Sequence, residues 1–259
     1  MLTLLVTNDD GILAPGIRAL AESLTQVGRV VVVAPERERS GTSHAITTHK
    51  PLRIERVDLG PGLEAYRANG TPSDCVKLGI EAILRRHPDF VLSGINSGPN
   101  LGTDVLYSGT VSGALEGLIM GVPSIALSLV RGERHDYQPA ARFAARLVEK
   151  LARETLPKET LLNVNIPDLK EEDIRGIRVT RLGQRRYRDI FHERVDPRGK
   201  PYYWLVGQVV DLDQDPETDT AAVDAGYISI TPVQVDLTHY PLLAKLKQWS
   251  WDDVWQGKM

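Results

Sequence analysis

The chain contains a single cysteine, Cys75, among its 259 residues. An intrachain disulfide and a metal cluster held by several thiolates are therefore both excluded. Long apolar runs are also missing, because the longest stretch, 118–130, is interrupted by Gly121 and Pro123 and cannot span a bilayer. The first apolar run stops at Asn8 with no basic region before it, so we expect no signal peptide. We expect a soluble, cytoplasmic protein without a membrane partner.

Excess positive charge is lacking as well, since the formal net charge is −3. A surface that holds nucleic acid stably normally carries a marked basic excess. One local exception is the segment 175–198, which contains eight arginines against Asp189, Glu193 and Asp196. We interpret it as a strand pair whose arginines are solvated or paired at an interface, because a nucleic-acid patch usually adds lysines and a recognisable reading element. We expect no stable nucleic-acid partner.

Short apolar segments alternate with helical patterns over the first half of the chain. Strands are predicted at 2–7, 30–34, 89–93 and 124–129, and helices from Pro15, after Pro72 and from Thr110. Apolar strands joined by amphipathic helices are typical of a parallel sheet covered on both faces. The sequence therefore predicts an α/β fold.

The rest of the chain predicts a second set of elements. A hairpin is expected at 52–67 around Gly60-Pro61-Gly62, then a helix at 139–154, strands at 161–166, 177–182, 202–206 and 227–231, and a helix at 242–249. The turn signal Asp196-Pro197-Arg198-Gly199 separates two of these strands. We expect one domain, 1–259, with a core at about 1–175 and 225–240, an extension hairpin at about 177–210 and a tail at about 240–259.

Three tryptophans and one acidic loop complete this part of the chain. Trp249, Trp251 and Trp255 are interpreted as packing or subunit contacts. Asp219 lies in the acidic loop 211–224, and we expect it to be solvated.

Two adjacent aspartates, Asp9 and Asp10, directly follow the first predicted strand. Adjacent carboxylates repel each other and resist burial unless a positive charge neutralises them. A hard divalent cation is one explanation, because carboxylate oxygens suit magnesium, manganese or calcium. The other is that Asp9 caps the next helix and Asp10 is solvated. This segment alone leaves both explanations open.

Ser40 and Asn96 follow the second and third core strands of the predicted sheet. Ligands of such sheets bind beyond the carboxyl ends of the strands, where strand order reverses. We therefore expect both side chains to lie near Asp9 and Asp10 and to offer neutral oxygen ligands. Serine and asparagine also simply build turns, which remains the alternative.

Two further segments have the character of anion-binding loops. One contains Gly94, Gly98 and Gly102, which permit close approach of the backbone to a ligand. The other runs through Tyr107-Ser108-Gly109-Thr110 into a helix, whose first turn presents free N–H groups. Walker, dinucleotide-binding and nucleophile-elbow motifs are absent from the sequence.

Other functions can be weighed against a metal-dependent phosphatase. A receiver-like phosphoacceptor also has an acidic pair after its first strand, but it needs a further aspartate where this chain has Ser93 and Asn96. A haloacid-dehalogenase-type phosphatase needs Asp-x-Asp, and Asn8 stands where the first aspartate would be. A non-catalytic nucleotide-binding protein is the third alternative.

Six motifs in order along the chain resemble those of the SurE family, the survival-protein E metal-dependent nucleotidases. The matching segments are Thr7-Asn8-Asp9-Asp10-Gly11, Pro35-x-x-x-x-Ser40-Gly41, Gly70-Thr71-Pro72-x-Asp74-Cys75-Val76, Ser93-Gly94-Ile95-Asn96-x-Gly98-x-Asn100, Tyr107-Ser108-Gly109-Thr110-Val111 and Gly226-Tyr227-x-Ser229-Ile230-Thr231-Pro232. The segment 185–200 matches none of the family's motifs, which leaves the substrate preference open.

The resemblance implies a Rossmann-like core with a C-terminal β-rich extension that is exchanged between subunits in homodimers or homotetramers. It implies hydrolysis of nucleoside 5′- and 3′-monophosphates, and in some members of short polyphosphate. One divalent metal ion per subunit, Mg²⁺ or Mn²⁺, is expected on Asp9, Asp10, Ser40 and Asn96. Either aspartate is a candidate for handling the proton of the attacking water. The phosphate is expected to contact a set of loop residues: Asn96, Gly98, Asn100, Ser108, Gly109 and Thr110.

Overall fold

The structure is a computed structural model that describes residues 1–130, 132, 134–154, 157, 159–213, 215–251 and 254–255, without the side chains of Asp189, Ile190 and Gln208. The strands are β1 (Leu2–Thr7), β2 (Gly28–Pro35), β3 (Ile54–Val57), β4 (Glu64–Ala68), β5 (Phe90–Ser97), β6 (Ser124–Val130), β7 (Leu161–Pro167), β8 (Ile177–Val179), β9 (Arg185–Val195), β10 (Pro201–Asp211) and β11 (Ile228–Val233). The α-helices are α1 (Pro15–Leu24), α2 (Pro72–Leu78), α3 (Gly109–Ile119), α4 (Gln138–Leu151), α5 (Asp219–Asp224) and α6 (Tyr240–Leu246). A π-helical turn spans Gly79–Leu84, and 3₁₀ turns span Gly102–Leu106 and Glu171–Asp173.

Nine strands form one sheet in the order β3-β4-β2-β1-β5-β6-β7-β11-β8. The pairs from β4 to β7 are all parallel, while β3 and β11 run antiparallel to β4 and β7. The chain leaves β1 on one side to form β2 and later returns on the other side of β1 to form β5. This reversal is the topological switch point at which α/β sheets bind ligands. The predicted α/β fold with a mostly parallel central sheet is confirmed.

Helices cover both faces of the sheet because consecutive strand residues point to opposite faces. Leu4 packs with Ile17 and Leu20 of α1 in a core cluster that α4 also joins. Leu5, the next residue, packs with Val76 of α2 on the other face. All five side chains are fully buried, and each such burial contributes roughly 1.5–3 kcal/mol to folding. The core strands are therefore continuous apolar runs.

One predicted strand of the second half differs from the structure, and another strand has bounds that the sequence did not predict. The expected strand 177–182 ends at Val179 and pairs in parallel with β11, so it belongs to the large sheet. The partner of β10 is instead the strand Arg185–Val195, which lies within the predicted extension hairpin but was not predicted with these bounds. Its sequence is mostly charged and contains neither a long apolar run nor a regular alternation, so the hydrophobic pattern did not indicate its bounds. The predicted turn is confirmed, since the Asp196 N–H donates to the Lys200 carbonyl at 2.9 Å.

The β9–β10 hairpin forms its own two-stranded sheet, anchored at its base to the main body. Arg185 binds Asp211 across the hairpin, with Nε 2.7 Å from Oδ1. The hydroxyl of Thr103 donates to the Arg185 carbonyl at 2.6 Å. The interpretation of 175–198 as a strand pair with solvated or interface-paired arginines agrees with Arg186 and Arg188, which lie on β9 and are exposed in the subunit. Arg185, in contrast, is largely buried.

The C-terminal tail contributes little to the core of this chain. Its helix, α6, has no buried residue, and Trp249, Trp251 and Trp255 are all exposed. These tryptophans therefore do not pack inside the described part of the subunit. Residues 252, 253 and 256–259 of the predicted tail lie outside the described residues. Among the helices that the structure describes, none has the length and apolar character needed to cross a membrane.

Candidate metal centre and active site

A buried asparagine shapes the turn that follows β1. Asn8 is fully buried; its Nδ2 donates to the Gly11 carbonyl at 2.9 Å, and its Oδ1 accepts from the Gly11 N–H at 3.2 Å. Gly11 has φ of +99°, a conformation that favours glycine. The turn between them presents Asp9 and Asp10. The sequence indicated a role for the two aspartates but not for Asn8, because the contact of Asn8 with the Gly11 backbone is seen only in the structure.

Asp9 lies against the first turn of α3. It is only 4% exposed, and its Oδ1 accepts a hydrogen bond from the Thr110 hydroxyl at 2.5 Å. Gly109 makes this approach feasible, since a Cβ there would lie 2.8 Å from the Asp9 side chain. Burial raises the pKa of Asp9 to about 6; Thr110 opposes this rise and the charge of Asp10 adds to it. An ionised Asp9 is thus costly in the absence of a cation.

Asp10 connects the ends of two adjacent strands. Its Oδ2 accepts a hydrogen bond from the Ser97 N–H at 3.1 Å, at the last residue of β5. The side chain is half-buried, in contrast to that of Asp9. The two carboxylates therefore differ in environment, with Asp10 closer to solvent and to β5.

Ser40 lies in an exposed position of the loop after β2, five residues beyond the end of the strand. Its hydroxyl donates to Glu38 Oε1 at 2.7 Å. The Arg39 N–H donates to the Asp9 carbonyl at 2.7 Å, which ties this loop to the acidic turn. Glu38 is a third carboxylate at the site that the sequence reasoning missed; its only signal was its place two residues before Ser40.

Asn96 lies inside β5 rather than after it, which corrects its predicted position. Its Nδ2 donates to the Gly98 carbonyl at 2.9 Å. Across the part of the chain that the structure describes, no hydrogen bond reaches its Oδ1. The side-chain amide oxygen of Asn96, Oδ1, is therefore available to bind a ligand. Gly98 has φ of +136°, so glycine is required at this bend.

Asn100 is held by a buried network of amides. Its N–H donates to Asn165 Oδ1 at 2.8 Å, and its carbonyl accepts from Asn163 and Asn165 at 2.8 and 3.0 Å. Its Nδ2 donates to the hydroxyl of Ser128 at 2.7 Å. These contacts fix the end of the glycine-rich loop to β6 and β7. Asn163 and Asn165 lie on the predicted strand 161–166, but the sequence did not indicate that they hold the glycine-rich loop.

One large cavity, of about 1320 Å³, joins most of the predicted site residues. Its lining includes Asp9, Asp10, Ser40, Asn96, Gly98, Asn100 and Ser108. Gly109 and Thr110 are not in the lining and instead lie behind Asp9. The Ser108 hydroxyl caps α3 by accepting from the Val111 N–H at 3.0 Å.

The donor set of this cavity suits a hard divalent cation. Asp9, Asp10, Ser40 and Asn96 offer only oxygen atoms, the ligands that Mg²⁺ and Mn²⁺ prefer. Burial raises the pKa of Asp9, so a cation beside this carboxylate would stabilise its ionised form. Within the described ranges, no group of three or more His, Cys, Asp or Glu side chains could hold a metal. A centre of two carboxylates and two neutral oxygens fits the residues present.

The prediction that Asp219 is solvated is wrong. Asp219 is fully buried and accepts hydrogen bonds from three backbone N–H groups: Gly102 at 2.8 Å, Gly183 at 2.9 Å and Thr220 at 2.9 Å. It joins the end of the glycine-rich loop to the segment that leads into the hairpin. The surrounding acidic residues suggested an exposed loop, and nothing in the sequence indicated the long-range contacts of Asp219 with Gly102 and Gly183.

The fold and the position of the cavity define an α/β protein with a large cavity at the switch point of a mostly parallel sheet, the place where proteins of this fold class bind ligands. The family model of survival protein SurE matches residues 4–189. The chain belongs to this family.

Relatives and a solved structure agree over nearly the whole chain. The 5′-nucleotidase SurE of Gloeobacter violaceus is 56% identical over 97% of this chain and 97% of its own length. That of Moorella thermoacetica is 55% identical over 98% of both chains. The crystal structure of the SurE protein from Aquifex aeolicus is 47% identical, with a TM-score of 0.83 over 95% of this chain and 98% of that one. These matches confirm the predicted family.

Proposed function

We propose that the chain is a divalent-metal-dependent 5′-nucleotidase, a hydrolase that releases phosphate from nucleoside 5′-monophosphates. One observation carries the proposal: Asp9, Asp10, Ser40 and Asn96, from three separate segments, line a single cavity at the switch point of the sheet. The 5′-nucleotidase SurE relatives support the reaction class.

Asp9, Asp10, Ser40 and Asn96 are proposed to hold one Mg²⁺ or Mn²⁺ ion per subunit. The bound ion would supply positive charge to a phosphoryl oxygen and lower the pKa of a water. Asp9 would approach it in a fixed orientation, because Thr110 holds Oδ1. Partners of this kind, behind a metal ligand, orient it and raise metal affinity.

The two aspartates are also proposed to act on the attacking water. A carboxylate within hydrogen-bond reach can orient a water molecule and accept its proton. Asp10 is the more accessible of the pair, while Asp9 is the more buried and has the raised pKa. Both remain candidates for the proton-accepting role.

The phosphoryl group is proposed to lie between the glycine-rich loop and the start of α3. Asn96, Gly98 and Asn100 border the cavity on one side and Ser108 on another. Gly109 and Thr110 would contribute through the helix N-terminus, where N–H groups lack intrahelical acceptors and stabilise negative charge. Such donors stabilise the charge on a phosphoryl group in transfer.

Further properties follow from the family resemblance. We propose activity on nucleoside 3′-monophosphates and short polyphosphate, a cytoplasmic location, and a homodimer or homotetramer. The chain would act as one domain, with the β9–β10 hairpin and the tail contributing to oligomerisation. Trp249, Trp251 and Trp255, exposed in the single subunit, support the tail's part in a subunit contact.

Phosphate release from AMP and GMP tests the proposal. Chelator-treated protein should release none and should regain activity when Mg²⁺ or Mn²⁺ is added. Full activity without metal would contradict metal dependence. Stable labelling by acetyl phosphate would instead support a phosphoacceptor, and nucleotide binding without turnover across several metals would support a non-catalytic binding protein.

A further inference from the structure

The cavity extends well beyond the acidic pair to one face of the β9–β10 hairpin. Its volume of about 1320 Å³ exceeds what a phosphate group alone would occupy. In the antiparallel register Tyr187 lies opposite Val209, and Phe191 lies opposite Leu205. Opposite residues share a face, and alternate residues along a strand share it too. All four side chains therefore lie on one face, and all four line the cavity.

The chemistry of this hairpin face changes along its length. Near the core it is polar, because Arg185 contacts both Asp104 and Asp211 and the Tyr187 hydroxyl donates to Asp104 Oδ1 at 2.8 Å. These contacts fix the position of the Tyr187 ring. Farther out, Phe191 and Leu205 add apolar surface that is exposed to the cavity. The hairpin face is thus polar near the core and aromatic farther out, which suits a flat, partly polar ligand.

Gly207 lies between Leu205 and Val209 on the same face and also lines the cavity. It carries no side chain, so the β10 part of this face has a gap between Leu205 and Val209. The ring of a ligand can approach the backbone there.

The opposite face of the same hairpin provides a contrast. Trp204 and His192 lie opposite each other on that face, and neither lines the cavity. Trp204 is 62% exposed and Phe191 is 64% exposed, so the two aromatic side chains have similar solvent contact. Only Phe191 continues the surface that begins at Asp9 and Asp10.

We propose that this face of the hairpin is the nucleoside subsite, where Phe191 and Tyr187 receive the base by stacking while the phosphate lies at the acidic pair. The proposal rests on the proposed nucleotidase function, because that function places the phosphate. Every base has an aromatic face, so stacking binds different bases with little selectivity. The hairpin would then set affinity for nucleotides over simpler phosphate esters.

The test compares AMP with ribose 5-phosphate, which lacks only the base. In Phe191→Ala with Mn²⁺ present, kcat/KM for AMP should fall about tenfold, mainly through KM, and kcat/KM for ribose 5-phosphate should be unchanged. The matched control is Trp204→Ala, which should leave both substrates unchanged. Size-exclusion chromatography of Phe191→Ala should give the wild-type elution volume.

The outcomes separate the subsite from the nucleotidase function. Wild-type protein that hydrolyses AMP, with Phe191→Ala affecting both substrates equally or neither, overturns the subsite alone. Wild-type protein that hydrolyses neither substrate with any divalent metal overturns the proposed function and the subsite together. A changed elution volume for Phe191→Ala, with equal loss on both substrates, assigns the face to a subunit contact and also overturns the proposal.

Discussion

The hydroxyl of Thr110 donates to Asp9 Oδ1 at 2.5 Å, across the junction of β1 and α3. This contact joins the acidic pair to the first turn of α3. The sequence predicted the acidic pair as metal ligands and the start of this helix as a phosphate-binding segment. Thr110 is thereby a positioning residue for Asp9. The same turn brings Gly109 against the Asp9 side chain.

Thr110→Val should weaken metal binding, because valine keeps the shape of threonine but lacks the hydroxyl. The loss of such a supporting contact typically costs 10–100-fold in metal affinity, and we expect about tenfold here because only one donor is lost. Titration calorimetry with Mn²⁺ measures it. Thr110→Ser, which retains the hydroxyl, should bind metal like the wild type; equal weakening in both variants would indicate a packing defect instead.

Asp9→Asn and Asp10→Asn should each abolish AMP hydrolysis and leave the fold intact. In chelator-treated protein, either change removes one of two repelling charges, so the melting temperature should be unchanged or higher. In Asp9→Asn the new amide would still offer a carbonyl oxygen to the Thr110 hydroxyl. Thermal unfolding followed by circular dichroism provides the measurement. A lower melting temperature in both metal-free variants would contradict this account of the pair.

Asp74 should make the stability of the protein depend on acid pH. Burial raises its pKa, but hydrogen bonds from Thr47 and Thr71 outweigh burial and hold the pKa below its usual value. The carboxylate's contribution is therefore fully present above about pH 4, the unfolded-state pKa, and is lost as the pH falls through the lower folded-state value.

Asp74→Asn should accordingly lower the free energy of unfolding by about 1–3 kcal/mol at pH 7, because an amide cannot accept all of these hydrogen bonds. The difference from the wild type should shrink below about pH 4. Urea unfolding at several pH values provides the measurement, with the exposed Glu81→Gln as the control. A difference that stays constant down to pH 3 would refute this role for the charge.

Asp219→Asn should loosen the junction between the glycine-rich loop and the hairpin. In the wild type, the two carboxylate oxygens of Asp219 accept hydrogen bonds from the N–H groups of Gly102 and Gly183. In the variant, the amide NH₂ group replaces one of these oxygens and leaves one backbone N–H without an acceptor. A buried donor left unsatisfied costs about 1–3 kcal/mol, which urea unfolding will detect. KM for AMP should rise as well. Asp224→Asn, an exposed change on the same helix, is the control and should alter neither quantity.

Much of the fold could be predicted from the sequence because its core strands are short apolar runs. The segments around Leu5, Val32 and Leu127 are such runs, and each became a strand of the parallel sheet. The hairpin strand that begins at Arg185 could not be predicted in this way. Its stability comes from pairing with β10 and from the contact of Arg185 with Asp104, and neither leaves an apolar pattern.

The candidate site was predictable where chemistry and strand ends coincide, as at Asp9 and Asp10. The fold class alone indicated that Ser40 and Asn96 would approach them, and the cavity joins all four. The supporting contacts were not predictable, because Thr110 is 101 residues from Asp9 and the amides of Asn163 and Asn165 act on a distant loop. Such partners are defined only once the sheet has formed.

The most direct test of the central claim is anomalous scattering from a crystal of the wild-type protein soaked in Mn²⁺. The account predicts one strong anomalous peak per subunit, within coordination distance of the oxygens of Asp9, Asp10, Ser40 and Asn96, and no such peak in crystals of Asp9→Asn. A fully active, Mn²⁺-dependent enzyme whose anomalous peak lies elsewhere would contradict it.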